Sequence, residues 1–193
     1  TQTILDAYRA AGRYSATVEP KMIERGDNRV DLVFEIDEGG KTQVARITFI
    51  GNKSFSDGRL RDIIKTRQSG FLGWLRTTDT YDPDRFAADQ ELLRRFYYNH
   101  GYADFRIVSS VADFDRERNT FFITYTLDEG PQYKFGEIEV DTTLSDLDPE
   151  QLRGSLDTRA GKTYSSELVE KSIENLTIEA SKRGYAFAQV RPR

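Results

Sequence analysis

Residues able to do covalent chemistry are scarce in this sequence, and their spacing does not suit it. There is no cysteine, so thiolate metal sites, disulfides and cysteine nucleophiles are excluded. His100, the only histidine, stands directly before Gly101, where a cation complements the C-terminal end of a helix dipole. Carboxylates are many, but they gather in "DLD" at 146–148, "DFDRE" at 113–117 and "DEG" at 37–39 and 128–130. Such runs have the composition of turns, and solvated side chains are expected there rather than an acid/base pair. No G-x-S-x-G elbow, phosphate-binding loop, H-E-x-x-H or calcium-loop spacing occurs. The sequence therefore predicts no catalytic residue, no metal ligand and no cofactor.

Composition narrows the partners. The 193 residues carry a formal charge of −4 with 31% charged side chains, and no block of consecutive Lys or Arg. That argues against nucleic acid or an anionic membrane surface as the main partner. No apolar run approaches the 18 residues of a membrane-spanning helix, and no signal pattern opens the chain. The first residues, "TQTILDAYRAAGRY", are already helical in period, which predicts a segment of something longer.

The elements that position these residues repeat. "VDLVFEIDEGGKTQVARITF" recurs as "FFITYTLDEGPQYKFGEIEV", with Asp37-Glu38-Gly39 matching Asp128-Glu129-Gly130 at an offset of 91. "AAGRYSATV", "NHGYADFRI" and "KRGYAFAQV" each join a helical pattern to an alternating one. Phe86, Leu93, Phe96 and Tyr97 share one helical face, as do Val169, Ile173, Leu176 and Ala180. Gly12, Gly101 and Gly184 sit where a left-handed C-cap belongs, each followed by an aromatic expected to face the core.

The middle unit reads β-α-α-β-β. "QVARITFI" is a strand, Gly51-Asn52 a turn, Ser56 a helix N-cap before Leu60, Ile63 and Ile64, and Asp82-Pro83 the N-cap and N1 of a second helix. Two strands follow, near Asp104 to Ala112 and Phe121 to Leu127. Between the helices lies "SGFLGWLRTTDTYDP". Tyr81 matches Tyr164 at an offset of only 83, so this unit carries eight residues that its sister lacks. Phe71, Leu72, Trp74 and Leu75 in that insertion either fold back on their own helices or dock a neighbour.

With these motifs on the page, the chain resembles polypeptide-transport-associated (POTRA) domains, closest to those in the periplasmic part of outer-membrane protein assembly factors. The junction "DEG", the strand and turn "ITFIGNKSFS", and "LLRRFYYNHGYADF" leading into a hairpin carry the likeness, which covers essentially the whole chain. The fold class it implies is α+β: tandem repeats, each with a three-stranded mixed sheet covered on one face by two helices. Residues 1–39 are the C-terminal part of one such domain, 40–130 a complete one, and 131–193 one lacking its last strand. The variant "GRY" and the apolar loop place them second to fourth among the family's five. "VDTTLSD" departs from the family's Gly-Asn turn.

A sheet of three strands has two edges. If the last strand is central, the hairpin's leading strand, Asp104, Phe105, Arg106, Ile107, Val108, Ser109, Ser110 and Val111, is an edge able to add an extended peptide through main-chain bonds. Alternation puts Phe105, Ile107, Ser109 and Val111 inward. The resemblance implies docking of unfolded outer-membrane protein clients and accessory lipoproteins at the periplasmic face of the outer membrane, with a membrane β-barrel downstream. Gly39, Gly40, Gly130 and Pro131 read as interdomain junctions. The other readings are a passive spacer, the same region of a translocation transporter of TamA or two-partner secretion type, and a division protein with a single such domain, which tandem repeats disfavour.

Overall fold

A computed structural model describes residues 1–26, 29–70, 79–144 and 147–192. The chain divides into two compact units: Thr1–Leu92 with Ile107–Leu127, and Leu93–Arg106 with Asp128–Arg193.

The first unit opens with α1 (Gln2–Ala10) and an antiparallel hairpin, β1 (Thr17–Arg25) and β2 (Arg29–Asp37), paired in unbroken register from Thr17–Asp37 to Arg25–Arg29. Then come β3 (Gln43–Ile50), α2 (Asp57–Ile63) and α3 (Pro83–Tyr98), which runs on into the second unit. β4 (Arg106–Asp115) and β5 (Thr120–Asp128) complete a mixed sheet in the order β3-β5-β4, with β3 parallel to β5. Local chemistry fixes the element ends. Ser56 accepts from Arg59 N at the start of α2, and Asp82 Oδ1 accepts from Asp84 N and Arg85 N at the start of α3. Gly51 has φ +90, and a Cβ there would lie 2.1 Å from Leu127 O, so only glycine makes this turn.

Side-chain alternation places the core. Val44, Ile47 and Phe49 of β3, Phe121, Ile123, Tyr125 and Leu127 of β5, and Leu60 and Ile64 beside α2 are buried. Phe49 stacks on Tyr125 at 5.5 Å, and Phe86 of α3 lies 5.5 Å from the same ring. Asp89 of α3 is buried because its carboxylate takes Lys65 N at 2.6 Å and Thr66 N at 3.1 Å, the amides left open past the end of α2. The repeat shows what cover does. Val30, Leu32, Phe34 and Ile36 of β2 match Phe121, Ile123, Tyr125 and Leu127 of β5, yet they are 57, 57, 38 and 40% exposed against 5, 1, 0 and 5%. β5 has a strand on each side; β2 has β1 alone.

The second unit holds the end of α3, with Leu93, Phe96 and Tyr97 buried beside Tyr102 and Phe105, and then α4 (Pro149–Arg153) and α5 (Ser166–Lys182). Leu147, Leu152 and Ala180 form a separate cluster. The expected strand matching β3 near 134–140 is not formed; only a bridge, Lys134 to Thr163, is present there. β3 is a strand because β5 pairs with it, and among the described residues no counterpart of β5 lies beside 134–140.

Candidate protein-docking edge

The two edges of the three-stranded sheet differ. Along β3, Val44 N donates to Asp79 O at 2.7 Å and Ser69 N donates to Val44 O at 2.8 Å. Gln68 and Arg61 side chains reach Ala45 O and Ile47 O, each at 3.5 Å. That edge is clothed by the chain on either side of the interhelical segment. Along β4 no described loop or helix makes a main-chain hydrogen bond with residues 106–115, so among the described residues the N–H and C=O groups facing away from β5 have no main-chain partner.

The edge residues fall in different settings, and the sequence reading needs two corrections. Asp104 and Phe105 precede the strand. Asp104 is exposed and its Oδ2 accepts from Tyr133 Oη at 2.6 Å. Phe105 is buried and stacked 4.0 Å from Tyr97. Arg106 is exposed and donates twice to Asp128 Oδ2, at 3.0 and 2.7 Å. Ile107 is half-buried, as alternation expects. Val108 and Ser109 are then both exposed, Ser110 is half-buried, and Val111 is exposed. Ser109 and Val111 therefore do not face inward. The phase of exposure slips by one residue at Val108–Ser109, where two successive residues are exposed. Beyond the slip, Ser110, Ala112 and Phe114 take the inner face.

Phe71, Leu72, Trp74 and Leu75 lie outside the described residues. His100 does what its position suggests: Nδ1 donates to Phe96 O at 2.6 Å at the end of α3. Among the described residues no group of carboxylates and histidine could hold a metal ion, and no helix is long and apolar enough to cross a membrane.

The "DEG" carboxylates are not both solvated turn groups. Glu129 is buried and accepts from Tyr97 Oη at 2.9 Å, tying α3 to the end of β5. Burial, then this bond, pushes the Tyr97 hydroxyl well above its ordinary range. Tyr8 and Glu38 form the same pair one repeat earlier at 3.1 Å, there exposed. The signal was in the sequence, a helix tyrosine and a "DEG" glutamate both recurring, but turn composition outweighed it.

The joins between repeats share a main-chain pattern. Thr42 N donates to Gly12 O at 2.8 Å and Tyr81 N to Thr42 O at 3.0 Å; Tyr133 N donates to Gly101 O at 2.8 Å and Tyr164 N to Tyr133 O at 3.0 Å. At the first join Gly39 O accepts from Arg13 and Gly40 O from Asn119 at 3.3 Å. At the second, Gly130 has φ +66 and a Cβ there would sit 3.0 Å from Asp104 Cβ, with Pro131 next in the chain. Tyr14 corrects the expectation for the aromatics after the cap glycines. Tyr102 is buried, whereas Tyr14, one position further from its glycine, lies 4.9 Å from Phe121, 5.5 Å from Tyr81 and 6.1 Å from Phe114. It packs on the next repeat instead.

This geometry defines a class: tandem α+β repeats, the complete one built on a mixed three-stranded sheet. The POTRA family model, described as surface antigen variable number repeat, matches residues 42–130 and 133–193, and the chain belongs to that family. It is 26% identical over 185 residues to the outer membrane protein assembly factor BamA of Neisseria meningitidis serogroup B, covering 96% of this chain and 23% of that protein. It is likewise 26% identical over 196 residues to BamA of Nitratidesulfovibrio vulgaris, covering 100% and 24%. The chain thus spans about a quarter of the relatives it matches. The crystal structure of Haemophilus influenzae BamA POTRA3-5 aligns with all of this chain and 70% of its own, with a TM-score of 0.54 and 23% identity.

Proposed function

We propose that this chain is the periplasmic docking region of an outer-membrane protein assembly factor, in which residues 40–130 form one complete domain and β4 receives unfolded β-barrel clients as added strands. The observation that carries this reading is the contrast between the edges: β3 is covered from Gln43 to Ile47, while among the described residues no main chain pairs with the outer side of β4. Main-chain pairing asks little of client sequence, which suits a receiver of many different barrels. Accessory lipoproteins would use other surfaces of the same array, and a downstream barrel would hold it at the membrane. A passive spacer is the second reading, favoured by the main-chain bonds that recur at both joins.

Proline scanning separates the two. Adjacent strand residues point their N–H groups to opposite sides, and proline is tolerated only where the N–H faces away from the sheet. Val108 and Ser109 flank the slip, so the informative pair is Val111 and Ala112. One of V111P and A112P should unfold the domain. The other should stay folded and lose capture of an extended peptide from an outer-membrane barrel protein. A folded variant that captures as well as the parent, or a parent that captures nothing, leaves the spacer.

A further inference from the structure

Helix α5 takes its N-terminal cap from two repeats. The first amides of any helix have no partner within it. Ser165 is the N-cap, yet its Oγ accepts only a long bond, 3.4 Å, from Leu168 N. The Glu167 amide instead donates to Asn99 Oδ1 at 2.9 Å, Ser166 Oγ donates to the same oxygen at 2.8 Å, and Asn99 Nδ2 donates back to Glu167 Oε2 at 3.3 Å. Asn99 is half-buried just past the end of α3, 68 residues earlier.

The other join is built differently. Asp82 caps α3 alone, taking Asp84 N at 2.9 Å and Arg85 N at 3.1 Å, and the residue matching Asn99 is Ala10, which has no polar side chain to offer. Around Asn99, Ser165 Oγ donates to its Oδ1 at 3.4 Å, Gln132 Nε2 donates to His100 O at 2.9 Å and Tyr133 Oη to Asp104 Oδ2 at 2.6 Å. Lys171 holds Glu167 Oε1 at 2.8 Å and keeps that carboxylate's pKa below its ordinary value, so the partner facing Asn99 Nδ2 stays charged.

We propose that Asn99 is a latch between repeats: it completes the cap of α5 only when the join is seated, so seating the join and ordering the first turn of α5 are one event. Withdrawing it returns the Glu167 amide to water and loosens the join, while the body of α5, held by Ser172 and Ala180 in the interior, stays formed.

The test uses the whole chain. Amide exchange by NMR in Asn99→Ala should speed at Glu167 by about fivefold, the equilibrium factor of a lost cap, with no change past Val169. The chain has no cysteine, so spin labels at Ala103→Cys and Glu174→Cys, both exposed positions of the second unit, report one distance, whose distribution should broaden in the same variant. Asp148→Ala, which removes the cap of α4 by freeing the Glu150 amide, should leave that distance distribution unchanged. The latch is overturned by unchanged exchange at Glu167, by faster exchange spread over all of α5, or by equal broadening in Asp148→Ala.

Discussion

Removing one oxygen atom from Tyr97 tests how the complete repeat is closed. The hydroxyl is buried and donates to the buried Glu129 carboxylate at 2.9 Å. A hydrogen bond to a charged group contributes about 1.5–3 kcal/mol, and its loss inside a protein is not replaced by water. Tyr97→Phe keeps the ring stacked on Phe105 at 4.0 Å, so packing is nearly preserved and the polar loss stands alone. Urea denaturation of the parent, Tyr97→Phe, Glu129→Gln and the double variant forms a thermodynamic cycle. The expected coupling is about 1–3 kcal/mol, and additivity within about 0.5 kcal/mol would refute the reasoning. The exposed twin, Tyr8→Phe, should change nothing measurable, because water competes for Glu38. The pH dependence has a definite sign. A tyrosine whose folded pKa is raised contributes its full stability below the free value near 10 and loses it as pH rises beyond. Stability should therefore fall above about pH 10 in the parent and fall less in Tyr97→Phe.

Asp89→Ala should cost about 3 kcal/mol, since Lys65 N and Thr66 N both lose their acceptor inside the fold; the urea midpoint reads it, and a change under about 1 kcal/mol would contradict the assignment. Gly51→Ala should unfold or strongly destabilise the sheet, because its Cβ would meet Leu127 O and its φ is +90; a folded, equally stable variant would contradict the turn geometry. Residues 40–130 expressed alone should unfold in one cooperative transition, and a span that stays unfolded would refute that boundary.

Much of the architecture was legible because the chain states it more than once. Repeated "DEG" and cap glycines set the units, and Ser56 and Asp82 announced the helices, while the central place of β5 entered only as a condition. Three features resisted for separate reasons. The slip at Val108–Ser109 breaks the strict alternation that pattern reading assumes along a whole strand. Tyr14 was assigned to its own core because a one-residue shift after a cap glycine looks minor in sequence, although it turns the side chain toward a different neighbour. Glu129 was read as solvated because composition says nothing about a tyrosine 32 residues earlier. That β3 is covered was beyond pattern reading, since it depends on Asp79 and Ser69, neither of which carries a motif.

Amide hydrogen exchange across β4 in the presence of an extended peptide from an outer-membrane barrel protein tests the docking claim most directly. An added strand bonds only the amides that point away from β5, so every second amide between Ser110 and Asp115 should slow on binding while β3 is unchanged. Slowing confined to β3 or the helices, or no slowing anywhere at saturating peptide, would contradict the account.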